Sequence, residues 1–352
     1  MRMKQSGRQL CRRLSILLLF ALFLSGCRSD GSPAHREGIR IGVALYQQND
    51  TFISTIVSHL ESLARQREDD SGLKITLNIA DSRGSQATQN DQIDRFLSAG
   101  CDVICVNLVD RTAAAVIIDK ARNADIPLVF FNREPVGEDI MRWSKVYYVG
   151  AEAGKSGVMQ GELVAEAYRK NPAALDRNGD GVLQYVMLEG EPGHQDALLR
   201  TEYSIKAVTS ANITTEKLAN DTANWNRGQA ASRMSQWIEQ FGSRIEVVFS
   251  NNDDMALGAI DACRAAGIDP LPFVVGVDAT PPACESIRSG ELKGSVYNDS
   301  PGQAEAILTL SLALAQGRNP AQLLEFDDEK YVWLPYQKVT LETIDTVIPP
   351  DP

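Results

Sequence analysis

Hydrophobic and polar positions alternate along this chain in a repeating way. The stretch GIRIGVALY (38–46) places Ile39, Ile41, Val43 and Leu45 at every second residue, the period of a strand with one face on a core. Residues 51–65 then carry Phe52, Ile56, Leu60 and Leu63 along one helical stripe. The pair recurs. Strands are predicted over 73–81, 103–109, 127–132 and 145–150, with helices over 90–99 and 113–124. A second series follows, with helices over 156–169, 196–210, 226–241, 254–266, 281–289 and 303–316. Between them stand the strand-like segments LQYVMLEG, TTEKLAN, IEVVFS, PFVVGVD and KGSVYND. Strands alternating with helices of this length imply parallel sheets covered on both faces. Roughly ten such units exceed one comfortable sheet. The expected fold is therefore α/β, with two doubly wound, Rossmann-like parallel-sheet domains.

In sheets of this kind a ligand lies beyond the carboxyl ends of the strands. Tyr46, Asp50 and Phe52 follow the first strand, and Asn132 and Arg133 follow PLVFF. His194, Asp196 and Arg200 come after YVMLEG, and Trp225 after the weak strand. Asn251 and Asn252, then Asp278, then Asn298 and Asp299 end the later strands. Any one of these is ordinary in a loop. Their recurrence at nearly every strand end suits a neutral polyhydroxylated ligand. Carboxylates and amide oxygens accept from its hydroxyls, while Asn and Arg nitrogens donate to them. Phe52 and Trp225, from different domains, can cover the two apolar faces of a pyranose. A phosphate ligand would call for a glycine-rich turn or several cations, and neither is present.

The N-terminus has its own pattern. Arg2, Lys4, Arg8, Arg12 and Arg13 precede an apolar run over 14–24 that is too short to span a bilayer and suits a signal peptide. It ends in Leu24-Ser25-Gly26-Cys27, which resembles a bacterial lipobox with Cys27 as the lipidated residue. Residues 28–38 read as a tether. Without residues 1–27 the chain has 30 basic against 46 acidic side chains, a net charge of −16. Such a surface repels nucleic acid. Cys101, Cys105, Cys263 and Cys284 make no CxxC pair and read as buried thiols.

One further stretch carries chemistry. DRNGDGVLQ (176–184) begins like an EF-hand loop, with Asp176, Asn178 and Asp180 at positions one, three and five and Gly181 at six. The glutamate expected at position twelve is Met187. On its own the loop is either a calcium site closed from elsewhere or an Asx-rich turn.

Taken together, RIGVALYQQNDTF, QNDQID, VNLVD, VFFNREP, YYVG, LEGEPGHQDA, NDTANW, IEVVFSNND, GVDA and YNDS closely resemble the bacterial D-galactose/D-glucose-binding proteins. These belong to the type I periplasmic-binding-protein family, and the resemblance runs from Ile39 to about Pro335. It implies a three-segment hinge, with crossings near 149–151, 294–297 and 321–327. The implied domains are 39–150 plus 297–327 and 151–296 plus 328–352. It places sugar hydrogen bonds on Asp50, Asn132, His194, Asp196, Arg200, Asn252, Asp278 and Asn298, stacking on Phe52 and Trp225, and Tyr46 in the cleft. Gln48, Asn49 and Arg133 depart from the family pattern, which bears on second-tier tuning and sugar preference. The resemblance also implies one structural Ca2+, held by Asp176, Asn178, Asp180, the Val182 carbonyl, Gln184 and the distant Glu246. The implied function is a non-enzymatic, monomeric receptor for D-glucose or D-galactose, with methyl-galactosides as further candidates. It would face the periplasm or cell exterior on a lipid anchor and serve a membrane ABC permease. A chemotaxis receptor is a further candidate partner. A receptor for another hexose or a pentose, and a glycosidase using Asp50, Asp196 and Asp278, stand as alternatives. A sugar-sensing repressor is disfavoured by the leader, the acidic surface and the lack of an N-terminal helix-turn-helix pattern.

Overall fold

A computed structural model describes residues 38–349 of the chain. The leader, Cys27 and most of the tether lie outside the described residues. The first series of strands is β1 (Gly38–Leu45), β2 (Lys74–Asp81), β3 (Val103–Val106), β4 (Leu128–Phe131) and β5 (Val146–Gly150). The second is β6 (Leu183–Glu189), β7 (Thr215–Thr222), β8 (Val247–Ser250) and β9 (Phe273–Val275). Three short strands follow: β10 (Ser295–Tyr297), β11 (Tyr331–Trp333) and β12 (Gln337–Val339). The helices of the first lobe are α1 (Thr51–Ser71), α2 (Gln86–Ser98), α3 (Ala114–Asn123) and the short α4 (Gly137–Ile140). The second lobe carries α5 (Ala153–Lys170), α6 (Gln195–Ser210), α7 (Arg227–Phe241), α8 (Asp253–Ala265) and α9 (Pro281–Arg288). Helix α10 (Ser300–Ala315) returns to the first lobe, and α11 (Ile344–Val347) ends the series.

The first sheet has the order β11-β5-β4-β3-β1-β2 and the second β7-β6-β8-β9, and every pair within them is parallel. Each order reverses direction once, between β1 and β3 in one lobe and between β6 and β8 in the other. These are the switch points at which a crevice opens above a doubly wound sheet.

The strand alternation feeds two cores per sheet. In the first lobe Ile41, Val43, Leu45, Val103 and Cys105 pack with Ile53, Ile56 and Leu60 of α1 and Ile307 and Leu310 of α10. Their neighbours Ala44, Ile104 and Val106 face Ile93 and Phe96 of α2 and Ile117 and Ile118 of α3. In the second lobe Val186, Leu188, Val248 and Val274 meet α7 and α8, while Tyr185, Met187, Val247 and Phe249 meet α5 and α6. Each large apolar side chain so buried contributes about 1.5–3 kcal/mol. The four cysteines are buried free thiols, as their apolar surroundings in sequence suggest.

Two expectations change. Helix α1 runs six residues beyond Arg65, through a polar stretch with no stripe to betray it, and stops where Gly72 takes φ 66°. The domain boundary after 327 is corrected. Tyr331–Trp333 pairs with Tyr148–Gly150 in the first sheet, so the last crossing lies between Trp333 and Gln337. β12 then pairs antiparallel with β10 in the second lobe. A three-residue strand shows no periodicity. What holds β11 is an aromatic pile, with Tyr331 stacked on Trp333 at 5.2 Å and both edge-on to Tyr148.

Candidate functional site

Asp50 ends the turn after β1 and caps α1. Its Oδ1 accepts from the Ile53 N–H at 2.9 Å, and its Oδ2 accepts from the Tyr46 hydroxyl at 2.5 Å. Burial and the adjacent Asp50 carboxylate push Tyr46 upward, which keeps its hydroxyl a donor. After β4, Asn132 adopts φ 60°. Its Oδ1 is taken by the Asn107 amide at 3.1 Å, so its own amide N–H groups are left to serve the cleft. Arg133 lies 3.5 Å above the Tyr46 ring and donates to the Val109 carbonyl at 3.1 Å.

The second lobe supplies a denser set. His194 caps α6, and its Nδ1 accepts from the Asp196 N–H at 3.1 Å, which leaves the proton on Nε2. Burial, then Arg133 and Arg200, hold the imidazole well below its ordinary pKa, so it is neutral and carries a free Nε2–H toward the cavity it lines. Arg200 is buried among four oxygen partners. It donates to Ser156 Oγ at 3.2 Å, the Asn251 carbonyl at 2.8 Å, and Asp196 Oδ2 and Tyr336 Oη at 3.3 Å each. Asp278 Oδ1 stands 4.0 Å from the same guanidinium. Burial pushes the Asp278 carboxyl up to about 7, with Arg200 and the Asn298 amide opposing. Asn252 caps α8 through Oδ1, at 3.0 Å from the Met255 N–H. Trp225 reaches the cleft from a left-handed pair, Asn224 at φ 51° and Trp225 at φ 60°. Two successive non-glycine residues in this region mark a strained turn that aims the indole.

These side chains line one cavity between the lobes. Tyr46, Asp50, Phe52, Asn132, His194, Asp196, Arg200, Trp225, Asn252 and Asp278 all line it, as the strand-end reading expects. Arg133 lines it as well, at the strand end where the pattern put it, whereas the resemblance implied tuning from behind. Asn298 is not among the lining residues. It stands behind Asp278, donating to Oδ1 at 3.2 Å and accepting from Gln303 at 2.7 Å. The lobes touch at the rim. Thr51 donates to Asp254 at 2.5 Å, Gln195 to Glu134 at 3.1 Å, and Arg133 pairs with Glu191 at 3.0 Å. Numerous fixed donors and acceptors around a small chamber suit a ligand covered with hydroxyls.

The 176–184 loop lies elsewhere in the second lobe. Asp176 accepts from the N–H groups of Gly179 and Gly181, and Asp180 accepts from that of Val182. Glu246, from 62 residues beyond Gln184, is at the loop as expected. It is buried, and accepts from the N–H groups of Arg177 at 2.7 Å and Gln184 at 3.0 Å. Asn178 and Gln184 turn their amide nitrogens toward Asp180, and Asn178 also toward Gln184. Among the described residues no three His, Cys, Asp or Glu side chains gather closely enough to hold a metal by themselves. The donor set is mixed carboxylate, amide and carbonyl oxygen, which is hard-cation chemistry. Met187, at the vacant twelfth position of an EF-hand, is buried in β6.

Two doubly wound lobes around a shared polar cavity are the architecture of the periplasmic binding proteins, and the chain belongs to that family, matching its domain over residues 41–319. It is 41% identical over 307 residues to the D-galactose/methyl-galactoside binding periplasmic protein of Haemophilus influenzae, covering 87% of this chain and 90% of that protein. A putative rhizopine-binding protein of Rhizobium meliloti is 32% identical over 312 residues, covering 88% and 92%. Among solved structures, an ABC transporter solute binding protein from Bacillus halodurans with bound myo-inositol is similar, with a TM-score of 0.73 at 29% identity, covering 89% of this chain and 98% of that one.

Proposed function

We propose that this protein is an exported receptor that captures D-glucose or D-galactose, with methyl-galactosides as further ligands, and presents it to a membrane ABC importer. The observation that carries this reading is the single cavity in which ten strand-end residues of the two lobes converge. Phe52 and Trp225 cover the apolar faces of the pyranose, and the carboxylates, amides, His194 and Arg200 take its hydroxyls. The hexose engages one lobe, the hinge closes, and the other lobe completes the hydrogen bonds. The rim contacts at Thr51–Asp254 and Arg133–Glu191 belong to the closed form, which the permease reads.

Identity of 41% to a galactose-binding relative supports the hexose assignment. A second reading, a cyclitol or another sugar ring, has support in the rhizopine and myo-inositol of two other relatives. Calorimetric titration with D-glucose, D-galactose, myo-inositol and D-ribose separates them. Tighter binding of myo-inositol or D-ribose than of both hexoses would overturn the leading reading.

Two further assignments accompany it. Cys27 carries a lipid anchor, so the mature protein stands at a membrane surface. The 176–184 loop holds one structural Ca2+ through Asp176, Asn178, Asp180, the Val182 carbonyl, Gln184 and Glu246. The buried Glu246 carboxylate against the loop supports this, since a cation would balance its charge. Mass spectrometry of the membrane fraction tests the lipid, and calcium-dependent melting tests the loop.

A further inference from the structure

The cavity wall contains a glycine whose reason for being glycine is a side chain and not the backbone. Gly190 follows β6 and is buried, and its N–H donates to Asn251 Oδ1 at 3.0 Å. Its φ is not in the left-handed region, so any residue could adopt its conformation. A Cβ at this position would stand 2.5 Å from Cζ3 of Trp225 and closer still to Cζ2 and Cη2. Being that near three atoms of one six-membered ring places it over the ring's face, not off its edge. Gly190 does not line the cavity, whereas Trp225 does. The glycine therefore backs the face of the indole turned away from the ligand space.

Other contacts bound the indole elsewhere. His194 meets it edge-on at 5.1 Å, and the Arg200 guanidinium lies 5.9 Å from its centroid. The Asn252 amide donates to the Trp225 carbonyl at 3.4 Å, which ties down its strained backbone. His194 so limits one edge of the rigid ring, and Arg200 stands over its face. Adding a methyl group behind it drives it forward, into the cavity.

We infer that Gly190 is a positioning residue: by leaving room for the indole to lie back against the chain, it sets the depth of the cavity over the stacked face of the ligand. Its side-chain-free surface selects ligands as thick as a pyranose chair lying flat between Phe52 and Trp225. This deepens the hexose reading and rests on it for the ligand, but the seating of the indole stands apart from any ligand.

The test is a melting and affinity cycle on the full chain, with Gly190→Ala and Trp225→Ala alone and combined. Gly190→Ala is expected to lower the melting temperature and to weaken hexose binding by about tenfold or more, the usual scale of overpacking. In the Trp225→Ala background the same change is expected to leave the melting temperature unaltered, because the obstructing ring is gone. With 5-fluorotryptophan incorporated, the fluorine resonance assigned to Trp225 by its loss in Trp225→Phe shifts in Gly190→Ala without ligand. If Gly190→Ala does not fold but the double variant does, the inference is supported. Equal loss of melting temperature in both backgrounds, failure of both to fold, or an unmoved Trp225 resonance would overturn it. Absence of hexose binding by the wild type would instead refute the functional reading and leave the melting cycle as the judge of the indole seat.

Discussion

The two lobes share a topology but furnish the cavity in different ways. The second lobe offers a network already closed on itself: Arg200 bonds to Ser156, Asn251, Asp196 and Tyr336, each within its own lobe or the crossing strands. The first lobe offers groups mounted singly on a helix start and a strand end, with Asp50 capping α1 and Asn132 following β4. Its Arg133 and Thr51 reach across to the second lobe. The difference separates two tasks. On the proposed reading, the preorganised network of one lobe would set ligand chemistry and the groups of the other that reach across would set closure.

The largest effect is expected where the network is cut. Arg200→Ala leaves Asp196 and Asp278 buried without their guanidinium, at a cost of about 3–5 kcal/mol, and abolishes hexose binding. Calorimetric melting and titration measure both. A stable, binding-competent variant would break the contrast between the lobes. The two stacking residues come next. Trp225→Ala is expected to weaken binding by about 100-fold and, because the half-buried indole packs only against the edge of the second-lobe core, to lower melting less than Phe52→Ala. Phe52 is also part of the first-lobe core, so Phe52→Ala should weaken binding similarly and in addition destabilise by about 3 kcal/mol or more. Equal melting of the two variants would show that this distinction is wrong.

Asp278 adds a pH dependence to the second lobe. Its carboxyl, pushed up to about 7, is partly protonated near neutrality in the free protein. A ligand hydroxyl donates to the ionised form, so binding expels the proton. Affinity should rise roughly tenfold from about pH 5.5 to about pH 8 and then level off. The stability sign is opposite. The folded state holds this proton more tightly than the unfolded one, so the ligand-free protein loses stability from this group as pH rises from the ordinary carboxyl value of 3.8 to about 7, and little beyond it. Asp278→Asn should flatten the affinity slope and reduce the stability slope, to which the buried Asp196 and Asp253 also contribute, and an unchanged affinity slope in the variant would assign it to another group.

Smaller effects are expected at the rim. Glu191→Ala should weaken binding by less than about tenfold with little effect on melting, whereas Arg133→Ala, which empties a buried place over the Tyr46 ring, should weaken it more and also lower the melting temperature, the two non-additively. Additive losses would mean that the pair does not act as one contact. The smallest effect on the cavity is expected from the remote loop. Glu246→Gln should lower the calcium-dependent gain in melting temperature while changing hexose affinity by less than about twofold. Identical calcium-dependent melting in variant and wild type would remove Glu246 from the loop's closure.

Strand alternation in GIRIGVALY and the stripe of Phe52, Ile56 and Leu60 made the α/β class legible before any coordinates, because burial on one face leaves a period. Strand ends then pointed to Asp50, His194, Asp196 and Asp278, since polar residues there serve the crevice by topology. What was illegible has physical reasons too. Tyr331–Trp333 is too short for a period and is held by aromatic packing with distant residues. Arg133 stands at a strand end, but its seat over the Tyr46 ring and its pairing with Glu191 rest on residues that are not its neighbours in sequence. Asn298 stands back because Gln303 draws its carbonyl oxygen toward α10. That Gly190 is needed for an indole 35 positions away leaves no local mark in the sequence.

The most direct measurement is a titration of the full chain with D-galactose and with D-glucose, run beside Asp50→Ala from one lobe and Asp278→Ala from the other. One-to-one saturable binding of at least one hexose is expected, weakened by about tenfold or more in both variants. No binding of either hexose by the wild type, or binding that is indifferent to both substitutions, would contradict a hexose held between the two lobes.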